Sequence, residues 1–185
     1  MSREKEIRAV YTDQTIRVYQ AYNEVIAKEA VELGTFGKHF KLGRMTWIKP
    51  SFLWMMYRSG WATKEGQEYI LAIDIKRKAF DEIVDTAIVS SYNEGLGISL
   101  EEWQYQVKHS KVRMQWDPEK DINGNNLPYR SIQLGLRGDA VLNYVRDWIV
   151  HIEDITDYVK SLDEKRIAGT DITALLPQEQ VYIIK

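Results

Sequence analysis

The segment Tyr69-Ile70-Leu71-Ala72-Ile73 is apolar at every position, so both faces of the extended chain need cover. That pattern predicts a central strand, enclosed by packed elements on two sides. The surrounding sequence supplies the candidates. Ile16 to Tyr22 is rich in β-formers and stops at Asn23, a good helix cap. Ile26, Ala27, Ala30, Val31 and Leu33 then form a helical face that Gly34 closes. Arg44 to Lys49 reads as a second strand, because Pro50 biases Lys49 toward an extended shape. Pro50 also suits the first turn of a helix running to about Ala62. After the central strand, Phe80, Ile83, Val84, Ala87 and Ile88 carry the spacing of an amphipathic helix.

The second half alternates in the same way. Gly95 and Gly97 mark a loop, and Ser99 with Glu102 forms a capping box for a short helix. Lys111 to Asp117 alternates, with Val112, Met114 and Trp116 on one face, and Pro118 is expected to end that strand. Asn123-Gly124 leads into a strand at Ser131 to Leu136. Asp139 is read as the cap of a long helix with the face Val141, Tyr144, Val145, Trp148, Ile149 and Ile152. A helix near Thr156 to Lys165, a turn at Gly169 and a strand at Val181 to Ile184 follow. Interspersed elements without a crossover helix for each strand indicate an α+β fold. The expectation is a single domain over residues 1–185, with a mixed, mostly antiparallel central sheet and flanking helices.

Composition removes several chemistries. The chain has no cysteine, so thiolate nucleophiles, thiolate metal sites and disulfides are excluded. His39, His109 and His151 lack metal-ligand spacing, and Asp121-Ile122-Asn123-Gly124-Asn125 places its glycine wrongly for a calcium loop. No metal is expected. The net charge of −2 gives no general steering toward nucleic acid, so anion binding has to be local. A charged start and the absence of a run of ~18 apolar residues predict a soluble cytoplasmic protein without a membrane partner.

One stretch breaks the charge balance. From Leu33 to Thr63 there is no aspartate or glutamate, while Lys38, Lys41, Arg44, Lys49 and Arg58 are cationic and Trp47, Trp54 and Trp61 are interleaved. Cations with flat rings suit a phosphate or other anion attached to a base or nicotinamide. Arg44, Thr46, Trp47, Lys49, Ser51 and Arg58 are therefore candidate binding residues, with donors near Pro50 at a helix start. The structural alternative is that the rings are core and the charges pair with acids such as Asp74 or Asp117.

Gln115-Trp116-Asp117-Pro118-Glu119 is the second candidate, since a strand end displays side chains toward a cleft. Gln115 and Asp117 share a face and can engage a ribose or a hydroxyl, and Glu119 can act as a general base or stabilise a cationic transition state. Its structural alternative is a strand-to-turn junction capped by Asp117. Arg130 and Gln133, in Tyr129-Arg130-Ser131-Ile132-Gln133, form a third group in which Arg130 is a further anion ligand or a surface residue.

Trp47-Ile48-Lys49-Pro50-Ser51-Phe52 and Gln115-Trp116-Asp117-Pro118-Glu119 resemble the two signature motifs of the family called domain of unknown function 4291. The likeness extends to Tyr22-Asn23, Gln67-Glu68 and Arg130-Ser131-Ile132-Gln133, with Lys120 standing where the family usually has arginine. It implies a shared fold and no mechanism. The order of the opening elements also looks like that of an ADP-ribosyltransferase. That likeness implies NAD as cofactor, Gln20 or Tyr22 at the nicotinamide end, Arg44 and Lys49 at phosphate, and Glu119 at the oxocarbenium-like ribose, while Trp54 is a candidate ring contact from the aromatic run itself. The functional expectation is an enzyme acting on a nucleotide or nucleic-acid end, extending to ADP-ribosyl transfer. A non-catalytic module using the same cleft for a nucleotide, RNA or protein is the alternative.

Overall fold

The computed structural model describes residues 5–184. At its centre an antiparallel sheet runs in the order β2 (Thr15–Tyr22), β4 (Tyr69–Lys76) and β8 (Ile149–Asp154). β4 is the middle strand, as its two-faced apolarity requires. Leu71, Ile73 and Ile75 enter one core, and Ile70 and Ala72 enter a second on the opposite face. All five are fully buried, and each isoleucine or leucine contributes about 1.5–3 kcal/mol of burial free energy.

A second sheet, in the order β3 (Thr46–Ile48), β7 (Asn126–Leu136), β6 (Val112–Lys120) and β5 (Ile88–Val89), is antiparallel except for the β5–β6 pair. The first core lies between the two sheets, where Ile132, Leu134 and Leu136 of β7 join Ala27 and Ala30 of α1 (Glu24–Leu33) and Phe80 of α3 (Arg77–Thr86). The second core is closed by Phe52 and Met56 of α2 (Phe52–Ser59) and by Val159 and Leu162 of α6 (Thr156–Ile167). A ribbon of β1 (Arg8–Ala9) and β9 (Gln180–Val181) joins the first and last described strands. Helices and mostly antiparallel strands in one compact unit make this an α+β fold. Among the described residues no helix is long and apolar enough to cross a membrane.

Local chemistry accounts for most element ends. Asn23 caps α1 through a 3.1 Å bond from Ile26 N, and Gly34 closes it at φ 69°. Ser99 caps α4 (Leu100–His109) by accepting from Glu102 N. At α2 the cap is Ser51, so Pro50 sits just outside the helix and not in its first turn. α2 also stops early, at Ser59. Gly60, Trp61 and Ala62 all take positive φ, and Trp61 is held in that strained conformation between Phe52, Tyr57 and Arg166.

Other expected boundaries differ as well: the strand expected at Ser131 to Leu136 begins at Asn126, and the one expected at Val181 to Ile184 is confined to Gln180–Val181. Ile88 leaves the α3 helix to pair with Arg113 in β5. β6 does not end at Pro118 but continues to Lys120 through an irregularity, where a residue without an N–H is tolerated. The long helix from Asp139 is absent: Gly138 is the cap, α5 (Asp139–Asn143) passes into a π-helical turn at Tyr144–Trp148, and the chain then extends as β8. Ile149 and Ile152 satisfied the helical period by coincidence; pairing with Ile75 and Ile73 of β4 decides their conformation.

One glycine positions the future site. Trp47 and Gly135 are directly paired across β3 and β7, and a Cβ on Gly135 would lie 2.9 Å from the Trp47 ring. The far edge of the indole therefore occupies the space that a side chain at position 135 would fill. Gly135→Ala is expected to lower stability by about 1–3 kcal/mol through overpacking, read as a lower urea midpoint with an unchanged m-value.

Candidate functional site

The two sheets meet at Lys49. Tyr19 N of β2 donates to Lys49 O at 2.8 Å, and Gln20 Nε2 donates to Trp47 O at 2.9 Å, stitching β2 to the end of β3. Beyond this seam the sheets diverge and leave a cavity of about 740 Å³. Its walls are the end of β2 with Tyr22, the β3 segment with Thr46 and Trp47, α2 with Trp54 and Arg58, and the β6–β7 face with Gln115, Asp117 and Gln133. Arg44, Lys41, His39 and Gln67 complete the rim.

At the inner wall Lys49 is almost fully enclosed, its side chain 2% exposed. The Nζ lies 3.1 Å from Asp117 Oδ2 and 4.0 Å from the centroid of the Trp54 ring. Burial pushes the ammonium down to about 8, with the charge of Asp117 and its hydrogen bond opposing the shift. Asp117 also accepts from Gln115 Nε2 at 2.7 Å through Oδ1 and from Gln133 Nε2 at 2.7 Å through Oδ2. Asp74, the other acid considered for the basic run, pairs with Arg17 at 2.8 Å.

The outer wall is electropositive. Lys41, Arg44 and Arg58 are exposed, and none has a carboxylate within ion-pair distance among the described residues. Asp117 is the one carboxylate among the lining residues, against the four cations Lys41, Arg44, Lys49 and Arg58. With a low-dielectric wall behind it, such an excess attracts an anion.

A family model described as Domain of unknown function (DUF4291) matches residues 6–182. The chain belongs to that family. No curated protein matches it. In this DUF4291 chain both motif segments lie inside the match, and they touch through Lys49 with Asp117 and through Ser51 with Glu119.

The candidates divide by position. Gln20, Tyr22, Arg44, Thr46, Trp47, Lys49, Trp54, Arg58, Gln115, Asp117 and Gln133 line the cavity; Ser51, Glu119 and Arg130 do not. Glu119 lies within β6, not beyond the strand end, and is buried. Its Oε1 accepts from Ser51 Oγ at 2.7 Å and Lys120 N at 2.9 Å. Arg130 is exposed and donates to Trp116 O. Gln20 is fully spent, with Nε2 on Tyr22 OH and Trp47 O, and Oε1 accepting from Tyr144 OH at 2.8 Å.

The start of α2 is likewise occupied. Trp54 N donates to Ser51 Oγ at 3.2 Å and Phe52 N to Glu179 Oε1 at 2.7 Å, so two of the donors expected for an external anion serve a carboxyl group and a hydroxyl of the protein. Burial, reinforced by the nearby charge of Glu119, pushes Glu179 up to about 8. Sequence reading missed Glu179 because nothing near Pro177-Gln178 marks a helix cap 127 residues away. It missed His39 as a rim residue by testing it as a metal ligand and as a triad member and not as part of the basic run; its Nδ1 lies 3.1 Å from Glu29 Oε1.

Two tests follow from this geometry. Lys49→Met should destabilise the fold by about 3 kcal/mol in urea titrations, because Asp117 keeps two amide donors but loses its buried counter-charge. For Glu179, the folded state binds the proton more tightly than the unfolded chain, so its contribution is complete below about 4.5 and is lost as pH rises through about 8. Glu179→Gln keeps an acceptor for Phe52 N and should flatten the fall in stability over that window, measured by unfolding at stepped pH.

Proposed function

We propose that this protein binds a nucleotide or a phosphorylated nucleic-acid end in the cleft and acts on it. The charge balance of the lining carries this reading: four cations face one carboxylate, beside the half-buried rings of Trp47 and Trp54. Arginine forks and lysine recognise phosphate, and indole faces accept a base. A cavity of about 740 Å³ also falls in the size range of small-ligand sites.

ADP-ribosyl transfer from NAD is the reaction class we propose for the catalytic version. The glycosidic bond from ribose to nicotinamide would break, nicotinamide would leave, and an acceptor oxygen or nitrogen would bond to the ribose carbon as it loses its proton. In this reading Asp117 is the stabilising carboxylate, since it borders the cleft and Glu119 does not. Arg44 and Lys41 would hold the phosphates. One observation favours the second reading, a non-catalytic binding module: Asp117 already accepts three hydrogen bonds from the protein.

Thermal-shift measurements with NAD, ADP-ribose, ATP and 5′-phosphorylated RNA test the binding claim. At least one should raise the melting temperature, and Arg44→Ala should weaken that ligand about tenfold. If none shifts the transition, the nucleotide reading fails. Nicotinamide release from NAD, lost in Asp117→Asn while NAD still binds, supports the transferase; binding without release selects the module.

A further inference from the structure

We infer that the inner wall of the cleft is an acceptor pair, formed by the carbonyl oxygens of Gln115 and Gln133, that selects ligands bearing two adjacent hydrogen-bond donors. The inference rests on the nucleotide reading and specifies which end of the nucleotide enters first.

Beside the Lys49 ammonium, the Asp117 carboxylate acts only as an acceptor. Its Oδ1 receives Gln115 Nε2 at 2.7 Å, and its Oδ2 receives Gln133 Nε2 at 2.7 Å and Lys49 Nζ at 3.1 Å. Charge therefore dictates how both amides are turned, with each amino group toward Asp117 and each carbonyl oxygen away from it. Neither carbonyl oxygen has a hydrogen-bond partner among the described residues, and neither is sealed off as a buried unpaired atom. Both residues line the cavity, and the oxygens turned away from Asp117 are the polar atoms they have left to offer it. Gln115 and Gln133 are directly opposed across β6 and β7, which sets their Cβ atoms roughly 5 Å apart.

The rest of the cleft sets the ligand's direction. The inner wall is enclosed, with Gln133 9% and Lys49 1% exposed, whereas Lys41, Arg44 and Arg58 are exposed at the outside. Gln20 offers the ligand nothing, because its amide is consumed by Tyr22, Trp47 and Tyr144. The phosphates thus stay at the cationic outer wall while a donor-bearing group reaches the glutamine pair. A ribose 2′,3′-diol and the exocyclic amino group of a base share that chemistry. A buried acceptor left without its donor is costly, so the pair discriminates strongly against analogues that lack it.

Calorimetric titration with ADP, purine riboside 5′-diphosphate and 2′,3′-dideoxy-ADP tests the inference. One of the two analogues should bind at least tenfold more weakly than ADP: the first if the base amino group is read, the second if the diol is. Gln115→Met removes one carbonyl and one of the two amide donors to Asp117, while the Lys49 and Gln133 bonds to Asp117 Oδ2 are kept. It should weaken ADP about tenfold and leave the affected analogue nearly unchanged, the coupling expected of a direct contact. Equal binding of all three ligands, or unchanged ADP affinity in Gln115→Met, overturns the inference. Failure of ADP together with NAD, ADP-ribose, ATP and 5′-phosphorylated RNA to bind overturns the nucleotide reading itself; binding of any of these with equal affinity for the three titrated ligands overturns the acceptor pair alone.

Discussion

Lys49 is a cation placed where the two sheets part, and the site depends on how its charge is kept there. Taking an ammonium out of water costs several kcal/mol unless geometry and further hydrogen bonds compensate. Here the compensation comes from a carboxylate at 3.1 Å, an indole face at 4.0 Å and two amides that hold the carboxylate in place. These partners come from α2, β6 and β7, so a single buried charge ties the helix to the sheet formed by the other two. The depressed ammonium, about 8, measures the desolvation that remains.

A second polar knot lies beside the first. Ser51, two residues after Lys49, caps α2 and donates to Glu119, while Glu179 receives the first N–H of the same helix. Because successive side chains of a strand point to opposite faces, β6 would ordinarily carry Gln115, Asp117 and Glu119 to the same side. The irregularity at Pro118 to Lys120 intervenes, and Glu119 serves the helix cap, leaving Asp117 as the carboxylate of the cleft. Two N–H groups of the helix start are thereby satisfied from within the protein, and the exposed cations of the rim remain for an outside anion.

Much of this fold was legible in the chain. Strand β4 announced itself through apolarity on both faces, α1 through Asn23 and Gly34, and α4 through Ser99, because these signals act over a few residues. Ile149 and Ile152 were misread because a register shift in the β4–β8 pairing brings two residues three apart opposite Ile75 and Ile73, a spacing that suits a helix and not a regular strand. Only their partners in β4 separate the two. Pro118 misled for the opposite reason: a strand breaker by local rule, it sits at an irregularity of the ladder where no N–H is required.

The candidate site shows the same division. Residue types alone marked the acid-free, tryptophan-rich run and the Gln115 to Glu119 segment, since a local excess of cations and clustered rings are chemical facts of the chain. Tertiary structure decided which of these groups face a common cavity, because that turns on strand register, a break in the β6–β7 pairing and a helix cap 127 residues distant. Composition fixes which charges and rings exist, as covalent properties of each residue. Which are spent on each other and which stay open to a ligand depends on distances of a few ångströms, and those arise only when the sheets pack.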